Sequence, residues 1–580
     1  MAKLCFLAIA FTGLGIQLSD LAWEDWQSWL LVGGSVCLPL VGMFFGNHVL
    51  WGMFIGLGTS VRWISLGELG REHPRCLMTV EEICQRHRLP LPKLGVVKLK
   101  TPYFLAYGIR RVHFVMAAEL LTALSDEELS LLLAQGLGQA HHGDLALVSF
   151  GSLIPTAAQM LQSRLGELPR ALRQLSIAIP YVGTVFLVLA LVLDLINWGM
   201  QRLADVSALP LQWVLRLRHY YADRFAAIAT GNPQRLWRTL GKLAHLVVTH
   251  APENTTAAGQ AKKHLSAFTR LCVMDFNGAI ALGSGFAYGA NNEMLGTLLS
   301  WELFNPRANL LEVQSSHPLL GRRLHRLCQV PPTDEDLQHQ VKTLQRQISP
   351  SRLSQGLVYE WLLTFGEPIW LGFALVLGFV AFTHSPLPFL GVPLFISAAA
   401  FSQLLQLARQ FPRFGRLSTL PITRLLGDPY LSGTRGQPVQ MEGILMQRGD
   451  RLFDYGSEFK LVDETGAVDL AFVHPLFATG KPFSRVLTLV EQHKSVMIQG
   501  WFYRTPIPMV RVAKLTAEGI KPLLYHHGSR RASIVALLTL LAIATFWWTF
   551  NSPTPSAPES APPAEMEIQF EAPTAVPPQP

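Results

Sequence analysis

At 580 residues the chain is too long for one ordinary domain. Hydrophobic residues make up 49% of it and charged residues 15%, with a mean hydropathy of +0.27, which argues against an ordinary soluble enzyme and for a membrane protein. The net charge of +8 is small for this length and reads as loop charge beside a membrane rather than as a nucleic-acid surface.

Six cysteines (Cys5, Cys37, Cys76, Cys84, Cys272, Cys328) are scattered without CxxC spacing, so neither a disulfide framework nor a zinc ribbon is predicted. In chain order, Lys3 precedes an apolar run from Leu4 to about Leu18, and a second run covers about Ser28 to Gly58. Between them lie Asp20, Glu24 and Asp25, and Arg62, Arg71 and Arg75 follow; charge asymmetry predicts a transmembrane hairpin over 1–60 with its loop outside. Val80 to His87 reads as helix, and LPLPKLGVVKLKTPYFLAYG as turn, strand and loop. In Ser125 to Asp144, Ser125 and Glu128 form a capping box and Leu129, Leu132, Leu133 and Leu137 fall at helical spacing. Gly136 and Gly138 interrupt that pattern at about 1 kcal/mol each relative to Ala, so something other than helix propensity placed them there.

Two apolar stretches, about 145–162 and 175–198, predict a membrane hairpin inside a domain that spans 61–330. A further hairpin is predicted over 356–408, with Arg409, Arg413 and Arg416 behind it. Residues 436–516 change to short β runs: VQMEGILMQ, FKLVD, AVDLAFV, SVMIQGWFY and VRVAKL, with a hairpin turn at Asp463–Gly466. Five strands in that length resemble a small all-β OB-like barrel. Trp501, Phe502, Tyr503 and Arg504 on one strand have the composition of a single-stranded nucleic-acid platform, against which core packing and a protein contact are the favoured reading. The segment 532–550 predicts one more transmembrane helix, and the Pro-rich tail 551–580 is expected to be disordered. The count is six or seven spans.

The stretch LSDEELSLLLAQGLGQAHHGD resembles the "LSxxELxAVLAHELGHxxxxD" helix of HtpX and CAAX-prenyl-protease type membrane zinc metallopeptidases. The 89–108 region resembles that family's "LPxPxVxVxxxxxPNAFAxG" strand, which borders the substrate cleft in the relatives. LRLRHYYADRFAAIATGNPQRLWRTLGKLA resembles its "RxxEYxADxxAAxLTGxPxALxxALxKL" helix, and SSHPLLGRRLHRL its "THPpxxxRIxxL" segment, with His317, Pro318 and Arg323 in place. The resemblance implies an α-helical polytopic membrane protein with a mostly helical, zincin-type domain, carrying the OB-like domain on the cytosolic side. It implies a bacterial cytoplasmic or organellar membrane, and the basic His526–Arg531 stretch before the last apolar run with an acidic tail after it predicts the tail outside.

The resemblance also implies where the chemistry should be. Gln135 and Gln139 stand where the family has its zinc-binding histidines, Gly136 where it has the general-base Glu, and His219 where it has the third ligand. Imidazole nitrogens bind zinc and a Glu deprotonates its water; Gln amides and Gly do neither. No catalytic residue is intact and no cofactor is expected. Asp223, which orients a ligand His in the relatives, is expected to pair with His219 or with a basic residue such as Arg218, and His317 to be structural. The competing reading is a rearranged metal site from His142 and His219 with His141 or Asp223, hence an active metalloendopeptidase. The favoured reading is an inactive homologue, a binding scaffold or regulator in membrane-protein quality control. Its partners would be membrane proteins or a partner peptidase and the lipid bilayer, with nucleic acid disfavoured; a membrane-anchored OB interaction protein is the third possibility.

Overall fold

A computed structural model of the chain describes residues 41–56 (except 43), 59–99, 101–109, 111–141, 143, 145–165, 167–178, 183–249, 268–286, 292–361, 391–447, 459–472, 494–505, 507–525 and 529–551, with isolated positions within 372–380 and 486–490. It divides into two compact units, 1–360 with 409–527, and 361–408 with 528–580.

The first unit opens with helix α1 (Asn47–Gly56), strand β1 (Val61–Ile64) and helices α2 (Leu66–Glu72) and α3 (Pro74–Arg86). Strands β2 (Lys93–Val97), β3 (Phe104–Gly108) and β4 (Val112–Ala117) complete a four-stranded sheet of order β1-β2-β4-β3, in which only the β2–β4 pair is parallel. After α4 (Ala118–Ala123) comes α5 (Asp126–His141). Its start is the predicted capping box: the Glu128 N–H donates to Ser125 Oγ at 3.3 Å, and the Ser125 N–H to Glu128 Oε2 at 2.9 Å. Then follow α6 (Leu145–Leu165), α7 (Glu167–Ala178), α8 (Gly183–Thr230) and α9 (Pro233–Thr249). Helices α10 (Phe276–Phe286), α11 (Asn292–Phe304), α12 (Pro306–Gln314), α13 (Leu320–Leu327) and α14 (Glu335–Gln347) close this part. The second unit holds most of α15 (Gly391–Gln410) and all of α17 (Ser529–Asn551), while the short α16 (Ile422–Gly427) returns to the first.

The predicted polytopic helical membrane fold is overturned. Among the described residues no helix is long and apolar enough to cross a membrane, and the chain includes a closed β-barrel. Two apolar runs show why composition misled. The 145–162 run lies in α6, where Leu145, Val148 and Leu153 join the protein core beside buried Ser149, Ser152 and Thr156. The Trp51 indole N–H of α1 donates to the Ser149 carbonyl at 3.0 Å. The 175–198 run ends inside the 48-residue α8. A helix buried by its own protein and one buried by lipid carry the same residues. The runs at 4–18, most of 28–58 and most of 358–382 lie outside the described residues, as does the 551–580 tail apart from Asn551. The predicted sidedness and membrane placement rested on spans that the described residues do not contain.

The barrel is as predicted. Strands β5 (Gln437–Gln447), β6 (Phe459–Val462), β7 (Ala467–Ala471), β8 (Ser495–Tyr503) and β9 (Met509–Ala517) run β5-β6-β7-β9-β8, and β8 pairs back onto β5 to close five strands. β7 and β9 are parallel, every other neighbour is antiparallel, and β10 (Ile520–Leu524) extends β9 as a hairpin. This is the strand order of an OB-like barrel. The Asp463 carboxylate fixes the β6–β7 turn by accepting from the N–H groups of Thr465 and Gly466, each at 2.7 Å.

The β6–β7 face, which OB folds offer to nucleic acids and oligosaccharides, is turned inward here. Ala467 packs with Val248 of α9 and Ile280 of α10. Lys460 Nζ donates to the Val248 carbonyl at 2.8 Å, near the end of α9 where a cation complements the helix dipole.

Candidate functional site

The capping box sets the phase of α5, and that phase brings Gln135 and Gln139 onto one buried face, with relative exposures of 0% and 2%. Gln139 Nε2 donates to Gln135 Oε1 and Gln135 Nε2 to Asp223 Oδ1, both at 3.3 Å. From α13, Arg323 grips the same carboxylate: Nε donates to Oδ2 and Nη2 to Oδ1, each at 2.7 Å. Its Nη1 donates to the Val273 carbonyl at 2.6 Å. Arg218 donates Nε and Nη2 to the Gln139 carbonyl at 3.1 and 3.0 Å.

Asp223 therefore pairs with a basic residue, but with Arg323 rather than Arg218, and with Gln135 rather than His219. The reason is geometric, since a guanidinium fork matches both carboxylate oxygens at once. Sequence reasoning placed Arg323 in the family segment but gave it no partner. The signal was there: Arg323 shares the buried stripe of Leu320, Leu324 and Leu327, and an arginine on a buried stripe needs an anion.

His219 lies face to face with His317, ring centroids 4.5 Å apart at 29°. His317 is held at both ring nitrogens: its Nε2 pairs with the Cys272 carbonyl at 2.8 Å and its Nδ1 with Ser316 Oγ at 2.9 Å. His219 Nδ1 is buried without a hydrogen-bond partner. Burial first, then His317, Arg323 and Arg218, hold the His219 imidazole well below its usual range, so it is neutral near pH 7. His317 is lowered too, chiefly by burial and against the pull of Asp275.

The two glycines of α5 are explained by close approach. A Cβ on Gly136 would stand 2.5 Å from Phe114 Cε1 and 3.2 Å from Phe104 Cε1; one on Gly138 would stand 2.9 Å from Phe225 Cδ1 and 3.0 Å from the Ala222 backbone. Phe104 and Phe114, with centroids 5.2 Å apart, fill the space beside Gly136.

These residues do not fit zinc. Gln135 and Gln139 turn amide N–H groups along the chain of hydrogen bonds, Gly136 has no base, the one carboxylate is gripped by Arg323, and a second guanidinium, that of Arg218, is held on the Gln139 carbonyl. Among the described residues no group of three His, Cys, Asp or Glu side chains is placed to hold a metal ion. Of the rearranged site, His142 lies outside the described residues, and His141 is exposed, 4.9 Å from the His87 ring and 4.8 Å from Phe225.

Two further surfaces are engaged from within. Strand β3 is the edge of its sheet, where an extended peptide would add; there Leu105 bridges Cys272 and the Val273 N–H donates to the Phe104 carbonyl at 3.0 Å. On the barrel, Phe502 and Arg504 are buried. The Trp501 indole donates to the Pro412 carbonyl at 2.8 Å and lies 4.6 Å from Phe414, and the Tyr503 hydroxyl donates to the Gln410 carbonyl. The aromatic strand is thus packed under residues 410–414.

Residues 71–330 match peptidase family M48. Proteins named protease HtpX homolog are similar: 30% identity over 181 residues to that of Aeropyrum pernix, covering 30% of this chain and 52% of the relative. That of Syntrophotalea carbinolica is 29% identical over 212 residues, 36% of this chain and 68% of the relative. That of Archaeoglobus fulgidus is 27% identical over 225 residues, 38% and 59%. The chain thus spans about half to two thirds of the length of these relatives. No solved structure matches it.

Proposed function

We propose that the domain over residues 71–330, which matches peptidase family M48 and resembles proteins named protease HtpX homolog, does not hydrolyse peptides and serves as a binding scaffold or regulator. In this reading it engages client proteins, or a partner peptidase, in protein quality control. One observation carries the reading: the Gln139–Gln135–Asp223–Arg323 chain joins the former ligand positions to a buried guanidinium. A dication would have to displace Arg323 from Asp223 in a site that already holds Arg218. A base would need a side chain at Gly136, where Phe114 stands.

Scaffold action is favoured over cleavage by the cleft edge as well, since Cys272 and Val273 already pair with β3. Partners then meet outer surfaces rather than an open cleft. The test is metal content and casein digestion of the purified full chain, with and without a chelator. Less than a tenth of an equivalent of Zn²⁺ and no chelator-sensitive digestion are expected, as an order-of-magnitude bound; stoichiometric zinc with chelator-sensitive cleavage refutes the reading.

A further inference from the structure

Beyond the cleft itself, the structure links it to the barrel through one carboxylate. Glu302 of α11 is buried, at 2% exposure. Its Oε2 accepts the Gly321 N–H at 2.6 Å, within the first turn of α13. Its Oε1 faces Arg504 Nη2 of the barrel at 3.7 Å. Arg504 is itself fixed from three sides: its Nε donates to the Leu426 carbonyl at 3.2 Å, its backbone N–H to the Ser432 carbonyl at 3.1 Å, and its guanidinium lies 4.4 Å from the Trp301 ring. Two residues beyond Gly321, α13 carries Arg323, the residue that grips Asp223. Arg322, between them, donates to the Glu302 carbonyl at 2.9 Å.

We propose that Glu302 is a shared anchor through which docking of the barrel sets the position of α13, and with it the Arg323–Asp223–Gln135 chain across the cleft. A buried carboxylate needs both its cation and its N–H donors, and removing one leaves charge uncompensated and loosens the other. A partner that draws Arg504 off Glu302 therefore changes the cleft, and one that shifts α13 changes barrel docking, because such coupling is reciprocal. A mere packing interface lacks this property: it loosens locally wherever it is cut.

Amide hydrogen exchange on the full chain separates the two. Arg504 makes no hydrogen bond or ion pair with α13, yet Arg504→Met is expected to speed exchange at residues 320–327 and at Val273 by roughly tenfold. Arg504→Lys, which keeps the charge, recovers most of the protection. Lys460→Met cuts a different docking bond, to the Val248 carbonyl, and is expected to loosen β6–β7 while leaving 320–327 at the parent rate. The proposal is overturned if Arg504→Met leaves 320–327 unchanged, or if Lys460→Met loosens 320–327 as much. Should Arg504→Met fail to fold, Glu302→Gln supplies the reading: it weakens the pair with Arg504 and is expected to speed exchange in β8–β9 and at 320–327 alike, and loosening confined to β8–β9 overturns the proposal. Unchanged β8–β9 in that variant overturns the proposal too.

Discussion

Gly136→Ala tests the packing argument most directly. In an open helix that change stabilises by about 1 kcal/mol through helix propensity. Here the added carbon would stand 2.5 Å and 2.9 Å from Phe114 ring atoms and 3.2 Å from Phe104, against ordinary carbon contacts of about 3.5–4.0 Å. Both rings are buried, at 0% and 3% exposure, so neither can swing into solvent to make room. Overpacking of this kind costs about 1–3 kcal/mol, and contact with two rings at once places it in the upper half of that range. The net expectation is a loss of roughly 1–2 kcal/mol. Gly136→Glu adds a buried carboxylate without a partner and should cost several kcal/mol more, of order 3 or above. The assay is urea titration of the exchange protection of α5 amides, which reads this helix without assuming that the whole chain unfolds in one step. Pairing the change with Phe114→Leu should return about 1 kcal/mol as coupling. A Gly136→Ala protein as stable as the parent, or stabilised, would refute the reasoning and reopen the space beside α5 to a catalytic side chain.

Three other expectations follow from the same residues. Arg323→Met leaves the Asp223 carboxylate buried and unpaired, and should destabilise the domain by about 3–5 kcal/mol in denaturant titrations; Asp223→Asn in that background should restore part of it. For pH, folding holds His219 and His317 below their unfolded value near 6.5. The unfolded chain therefore binds more protons below that pH, and stability is full above about pH 6.5 and falls as the solution is acidified towards the folded-state values. The slope is up to about 1.4 kcal/mol per pH unit for each histidine, and His219→Gln should remove its share. Last, with β6–β7 docked inward and Trp501 packed under residues 410–414, the full chain should show no salt-dependent binding to single-stranded DNA, measured by fluorescence anisotropy.

Local rules made much of this molecule readable. The capping box of α5, the strands of the barrel and the Asp463 turn depend on neighbours a few residues apart, and each stands where the sequence predicts it. The penalty assigned to Gly136 and Gly138 was a sound clue, but its cause lies on Phe104, Phe114 and Phe225, which only the fold brings near. Asp223 and Arg323 are a hundred residues apart, so their pairing could be inferred only as a demand for some partner. The membrane reading of 145–162 failed for a related reason: apolar composition reports that a helix is buried, not what buries it. Trp501 and Tyr503 had the chemistry of an open stacking surface, and nothing local announced that residues 410–414 would lie over them.

The inward-facing barrel has a practical consequence for dissecting the protein. Cutting the chain between α16 and β5 would bare Val248, Ile280 and Trp301 on one fragment and Ala467 on the other, together with an orphaned Glu302 and its lost arginine. Each half would be adhesive and ill-formed, so a defect seen after truncation would report damage to the seam rather than the task of the missing piece. Genetic separation of the two modules is better attempted by single substitutions along that seam, with the polypeptide kept whole.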